Sequence, residues 1–99
     1  MVIGAALLRL HLPGATSLKD KRQIVRSVIA RLQNKFSIAV AEVGNQDKWQ
    51  IAEIGIAVVA NDSSHIQGVL AKAVDLVANG HWEAELLDYE TEIIYLFQD

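Results

Sequence analysis

Two runs of the chain, Val2 to Leu12 and Trp49 to Ala60, are apolar on both alternating faces over most of their length. In the first run only Arg9 and His11, near its end, interrupt this pattern. A strand that is apolar on both faces is typical of the middle of a sheet, where other layers cover it on two sides. The sequence therefore predicts two central strands that lie far apart in the chain.

Two other segments have the apolar spacing of helices. The first follows the Pro13-Gly14 break and a capping-box variant in which Ser17 and Asp20 each take an amide at the helix start, and it is predicted to run from Leu18 to Asn34. The second follows the cap-forming residues 61–64 and ends at Asn79-Gly80. Their predicted buried positions are Leu18, Val25, Ile29, Leu32 and Phe36 in the first, and Ile66, Val69, Leu70, Ala73, Val74 and Val77 in the second.

Two shorter strand signals complete the pattern. Ser37 to Val43 is predicted as a strand that turns at residues 44–47 into the second apolar run. From Leu87 to Phe97 the odd positions are mostly β-formers, whereas even positions carry acids, as in a half-exposed edge strand. The order strand, helix, strand, strand, helix, strand predicts an α+β fold: one ferredoxin-like βαββαβ sandwich over residues 1–99, with a four-stranded antiparallel sheet and two helices on one face.

The charges are divided unevenly along the chain. Residues 1–35 hold seven basic residues and one acid, a balance of +6, whereas residues 36–99 hold two basic residues and eleven acids, a balance of −9. Such asymmetry is a hint of a charged interaction surface. The chain has no cysteine, which excludes disulfides, thiolate metal sites and cysteine nucleophiles, and together with the absence of a leader or membrane-spanning run predicts a cytoplasmic protein.

Sequence motifs for catalysis are missing. The three histidines, His11, His65 and His81, form no ligand or base pattern, and the six glycines form no phosphate-binding loop. The acidic row from Glu83 to Glu92 spreads its carboxylates along a strand, which suits an edge protected against aggregation better than a metal site. We therefore expect a protein that is not an enzyme and has no cofactor, no metal and no small-molecule substrate.

Several segments resemble the YlxP-like family of short bacterial proteins. The most specific of them is Ser17-Leu18-Lys19-Asp20-Lys21-Arg22, and the resemblance extends over essentially the whole chain through Ala41-Glu42-Val43, Asp47-Lys48-Trp49-Gln50 and residues 58–62. The resemblance implies a ferredoxin-like fold. Because genes of this family often lie beside those for translation initiation and ribosome-maturation factors, it also implies a role near the ribosome.

The first helix carries the sharpest candidate site. Lys19, Arg22 and Arg26 are spaced three and four residues apart, so they share one helix face, and Lys21 adds a fourth cation nearby. Cations at this spacing suit the phosphates of an RNA backbone, and we expect these four residues to bind RNA or a ribosomal particle. The alternative is that the stripe is only a solvated helix face.

The two central strands support a second hypothesis. Two helices cover only one face of the sheet, yet both central strands are apolar on both faces. A second copy of the chain would cover the other face. The alternative function is therefore a homodimeric interaction or scaffold module without nucleic-acid contact.

Overall fold

The computed structural model describes residues 1–97 and contains six elements in the predicted order. They are β1 (Val2–His11), α1 (Leu18–Lys35), β2 (Ala39–Gly44), β3 (Ile51–Ala60), α2 (Ser63–Asn79) and β4 (Glu85–Tyr95). The strands form one antiparallel sheet in the order β2-β3-β1-β4. The α+β ferredoxin-like prediction is confirmed, with β1 and β3 at the centre of the sheet.

The core lies between the two helices and one face of the sheet. Along β1 and β3 every second residue is buried under the helices, which reproduces the two-residue period of a strand. Leu8, Leu10 and Ile54 are fully buried there and pack with Leu32 of α1 and Ile66 of α2. The residues between them, such as Ile3 and Leu7, lie on the other face of the sheet, which no element of residues 1–97 covers.

The helices begin at side-chain caps that resemble the predicted ones. The Ser17 hydroxyl accepts a hydrogen bond from the Asp20 amide, as expected, and the Asp20 carboxylate accepts hydrogen bonds from the amide and the hydroxyl of Thr16. At α2, Asp62 is the cap and accepts from both the amide and the hydroxyl of Ser64. In both helices a side-chain oxygen at the N-cap accepts a hydrogen bond from a backbone amide of the first turn, which stabilises the helix start.

The last strand departs from the predicted alternation at its beginning. Asp88 pairs with Arg9 and Leu86 pairs with Leu10, so Leu87 is the extra residue of a β-bulge. Leu86 rather than Leu87 therefore lies on the helix side with Tyr89, and Leu87 is largely exposed. The strand also begins earlier and ends earlier than predicted, at Glu85 and Tyr95.

The two helices lie over different parts of the sheet. α1 packs closest to β2, and α2 lies over β1 with β3 and β4 on either side. Since β2 and β4 are the two edges of the sheet, α1 and β4 lie on opposite sides of the molecule. Neither α1 nor α2, the helices of residues 1–97, has the length and apolar character that crossing a membrane requires.

Candidate nucleic-acid interface

Three of the four predicted cations lie on the solvent side of α1. Lys19, Arg22 and Arg26 are exposed, and the buried side of the helix is formed by other residues. None of the three takes part in an ion pair within residues 1–97. The structure therefore brings these three side chains together on one face, with their charges available to an external anion.

Lys21 is a correction to the predicted site. Its side chain is buried, with the ammonium 3.0 Å from the Glu42 carboxylate of β2 and donating a hydrogen bond to the backbone carbonyl of Asn45. An ammonium that is enclosed and paired in this way cannot also contact a phosphate in solvent. Lys21 thus belongs to the core, and its predicted role among the exposed anion-binding cations is wrong.

A signal for the burial of Lys21 is present in the sequence. Lys21 stands four residues before Val25 and seven before Val28, so it continues the apolar stripe of the helix toward the N-terminus. Its partner Glu42 is separated by twenty-one positions and lies on a different element, so no local pattern identifies the pair. The spacing predicts that Lys21 lies on the buried side of α1, but only the assembled sheet brings the Glu42 carboxylate to it.

One acid accompanies the exposed cations. The pKa of Asp20 lies below its ordinary value, chiefly because its carboxylate accepts hydrogen bonds from the hydroxyl and amide of Thr16, and the charge of Lys19 adds to this effect. Asp20 is therefore ionised near neutral pH and already bonded at the helix start. The face defined by Lys19, Arg22 and Arg26, which we call the basic face of α1, carries three cations beside this single carboxylate.

The uncovered face of the sheet is the second candidate surface. Its apolar part lies on β2, β3 and the first half of β1, where Val43 and Val59 are 56% and 61% exposed. Its polar part lies toward β4, where Arg9 bonds Asp88 at 2.9 Å and Glu90 at 3.0 Å. We call this whole surface the open sheet face.

The histidines are dispersed, as their sequence positions suggest. His11 lies on the open sheet face with its Nδ1 atom 3.5 Å from the Glu85 carboxylate, whereas His65 is exposed on α2 and His81 is exposed in the loop after it. Within residues 1–97 no three histidine or acidic side chains form a group that could hold a metal ion.

Comparison with a solved structure corrects one prediction. The chain is similar to SnoaB, a cofactor-independent oxygenase from Streptomyces nogalater, with 15% identity, a TM-score of 0.48 and coverage of 98% of this chain and 95% of that one. The prediction that the chain is not an enzyme is wrong to exclude enzymatic activity, because this similar protein is a cofactor-independent oxygenase. The likeness itself assigns no activity, substrate or catalytic residue to this chain.

Comparisons of sequence support the resemblance that the motifs suggest. A relative from Bacillus subtilis (strain 168), described as uncharacterized protein YlxP, is 41% identical over 66 residues, which are 67% of this chain and 70% of the relative. A family model described as "Protein of unknown function (DUF503)" matches residues 3–91. The chain therefore belongs to the DUF503 family, which confirms the YlxP-like resemblance.

Proposed function

We propose that the chain is a cytoplasmic RNA-binding protein, acting as an accessory factor of a ribosomal particle through the basic face of α1. The observation that carries this proposal is that Lys19, Arg22 and Arg26 are exposed on one helix face and make no ion pair within residues 1–97. Side chains that neutralise phosphates release counterions from RNA, which drives binding regardless of base sequence.

The distribution of charge allows this binding despite a net charge of −3. The acids of β4 lie at the edge of the sheet opposite the one that α1 covers. An RNA backbone approaching α1 would therefore meet cations first, with the four carboxylates of β4 at the opposite edge of the sheet. The same division would orient the protein, since the α1 side would attract a polyanion and the acidic β4 edge would repel it.

The mode of binding should be recognition of backbone and shape. The open sheet face carries alanine, glycine and aliphatic residues at its centre and lacks the paired aromatic residues on which RNA-recognition sheets stack bases. With three phosphate contacts, the logarithm of affinity should fall against the logarithm of salt concentration with a slope of about −2 to −3. Affinity should then drop roughly 15- to 60-fold between about 50 and 200 mM salt.

The test is co-sedimentation of the protein with ribosomal subunits and with structured RNA at low and near-physiological salt. The variant Lys19→Glu/Arg22→Glu/Arg26→Glu removes the basic face, and Lys35→Glu/Lys48→Glu/Lys72→Glu makes the same change in net charge with exposed cations elsewhere. We expect the first variant to lose at least about tenfold in affinity and the second to retain most of the binding. Equal effects of the two variants would show that only net charge matters and would contradict the proposal.

A second candidate function is supported by a separate observation. Val43, Val59 and Ile94 are each more than 40% exposed on the open sheet face, around a centre of small residues that includes Ala5 and Gly55. We infer that a second copy covers the apolar part of this face and that the chain acts as a homodimeric scaffold. Burial of apolar side chains between the two sheets would stabilise such a dimer, and this contact should hold or strengthen as salt rises, unlike phosphate binding.

Sedimentation velocity over a wide range of concentrations tests the dimer. Val59→Glu places a charge in the apolar part of the open sheet face, and Ala78→Glu adds the same charge at an exposed position of α2. We expect the first variant to be monomeric and the second to dimerise like the parent protein. A parent protein that is monomeric at every concentration would overturn the dimer and leave RNA binding untouched, because the two surfaces are separate.

A further inference from the structure

β4 is an edge strand with a long regular section. It pairs only with β1 within residues 1–97, and the pairing runs without interruption from Arg9 with Asp88 to Val2 with Tyr95. The Leu87 bulge precedes this section, so its eight residues, 88–95, form a regularly paired edge about 26 Å long. Every second residue of an edge strand directs its amide and carbonyl groups away from the sheet, where they are available to another strand.

An apolar groove lies along one side of this edge. It has a volume of about 580 Å³ and separates α2 from the helix side of β4. It exists because α2 lies over β1 and covers β4 only in part, which leaves Tyr89 52% exposed although it faces the helix layer. The apolar and aromatic lining is formed by Leu70, Ala71, Val74, Leu86, Tyr89 and Ile93.

A row of carboxylates lies along the other side of the same edge. Asp88, Glu90 and Glu92 alternate with the groove residues and therefore point to the open sheet face. Arg9 pairs with the first two, and Glu92 takes part in no ion pair within residues 1–97. Three carboxylates against one guanidinium leave this side of β4 negatively charged.

We propose that the β4 edge binds an extended segment of a partner protein in which apolar residues alternate with lysine or arginine. Such a segment would pair with β4 as a fifth strand. Its apolar side chains would enter the groove and its cations would meet Glu90 and Glu92, because both the segment and β4 alternate with a period of two. The backbone pairing supplies affinity, and the two flanking surfaces select the alternating pattern.

The same features disfavour a second copy of β4 as the occupant. Pairing of two such strands would bring two rows of carboxylates onto one side of the joint, where like charges repel. The other edge, β2, has no comparable charge, because its one charged side chain, Glu42, turns inward to Lys21. Of the two sheet edges within residues 1–97, only β4 therefore offers one apolar and one acidic flank. This proposal does not depend on the basic face of α1.

The probe is a fluorescein-labelled eight-residue peptide in which four valines alternate with four lysines, with binding measured by fluorescence anisotropy at near-physiological salt. A block peptide of the same composition, valines first and lysines last, is the control for charge alone. We expect the alternating peptide to bind at least about tenfold more tightly. N-methylation of one alternate set of its residues should abolish binding and N-methylation of the other set should not, because only one set pairs with β4.

Three protein variants locate the site. Glu90→Lys/Glu92→Lys reverses the acidic flank, and Asp47→Lys/Glu83→Lys makes the same charge change at exposed positions outside β4. We expect a loss of at least about tenfold for the first variant and less than about twofold for the second. Ala71→Phe, which fills the groove from an exposed position of α2, should also weaken binding. Equal binding of the two peptides, no measurable binding of the alternating peptide, or equal effects of the two charge variants would overturn the proposal.

Discussion

The ammonium of Lys21 lies 3.0 Å from the carboxylate of Glu42, in the interior where α1 meets β2. The ammonium also donates a hydrogen bond to the backbone carbonyl of Asn45. The side-chain amide of Asn45 in turn donates to the Glu53 carboxylate. The Glu42 Oε2 atom accepts no directed hydrogen bond within residues 1–97, so its stabilisation comes from the charge of Lys21. This pair attaches the first helix to the edge strand beneath it.

Removing one member of the pair should destabilise the fold strongly. Lys21→Met leaves the Glu42 carboxylate partly buried without a counterion, and we expect a loss of about 3–5 kcal/mol in the free energy of unfolding. The double variant Lys21→Met/Glu42→Leu removes both charges and should recover most of that loss. Urea unfolding of the three proteins measures this. A double variant that is no more stable than Lys21→Met would mean that the carboxylate costs little when left alone.

Two glycines should respond to alanine in opposite directions. A methyl group at Gly4 would overlap the Ile66 side chain and lie 3.1 Å from Leu70, so Gly4→Ala should cost about 1–3 kcal/mol through overpacking between β1 and α2. Gly68 is exposed within α2 with nothing within 4 Å of the added carbon, so Gly68→Ala should stabilise by about 0.5–1 kcal/mol. Thermal unfolding compares the two, and an equal effect of both would contradict the packing described at Gly4.

Acid should loosen both helix starts. Hydrogen bonds from Thr16 lower the pKa of Asp20, and hydrogen bonds from Ser64 lower the pKa of Asp62. Because the folded pKa values lie below the unfolded ones, this stabilisation is fully present above an unfolded pKa of about 3.9 and is lost as pH falls through the folded values. The urea midpoint should therefore fall on acidification to about pH 3 or below.

Variants separate this effect from general acid unfolding. Asp20→Asn/Asp62→Asn can still accept hydrogen bonds but does not titrate, so its midpoint should fall less steeply in the same acid range than that of the parent protein. Asp47→Asn, at an exposed loop position, should follow the parent curve. If all three curves had the same slope, the two helix caps would not contribute to the acid sensitivity.

The two tryptophans should report on different surroundings. Trp82 is half-buried, donates to the Val77 carbonyl at 3.0 Å and has the Arg31 guanidinium 5.3 Å from its ring centre, whereas Trp49 is 52% exposed. In single-tryptophan variants, Trp49 should be quenched more strongly by acrylamide than Trp82. Arg31→Gln should shift the emission of Trp82 and leave that of Trp49 unchanged, because only Trp82 lies under the guanidinium. Equal quenching of the two would contradict these environments.

Much of the fold follows from patterns within single elements. The apolar runs of β1 and β3, the caps at Ser17 and Asp62, and the polar alternation of β4 are local features, and each depends on residues a few positions apart. The order of these elements then limits a short chain to few topologies, because crossovers are right-handed and connections are short. This is why the sandwich and its central strands were predicted correctly from the sequence.

The candidate sites depended on contacts between distant elements. The basic run at residues 19–22 predicts that Lys21 joins the exposed cations, and only the approach of β2 provides the Glu42 carboxylate that permits its burial. The position of α2 over β1 likewise opens the groove beside β4, and the bulge at Leu87 determines which side chains face it. The sequence by itself determined the elements, their order and the exposed stripe on α1, because these arise from short-range periodicity. Tertiary structure alone decided which charges are paired and which surfaces stay uncovered, because both depend on how the helices pack against the sheet.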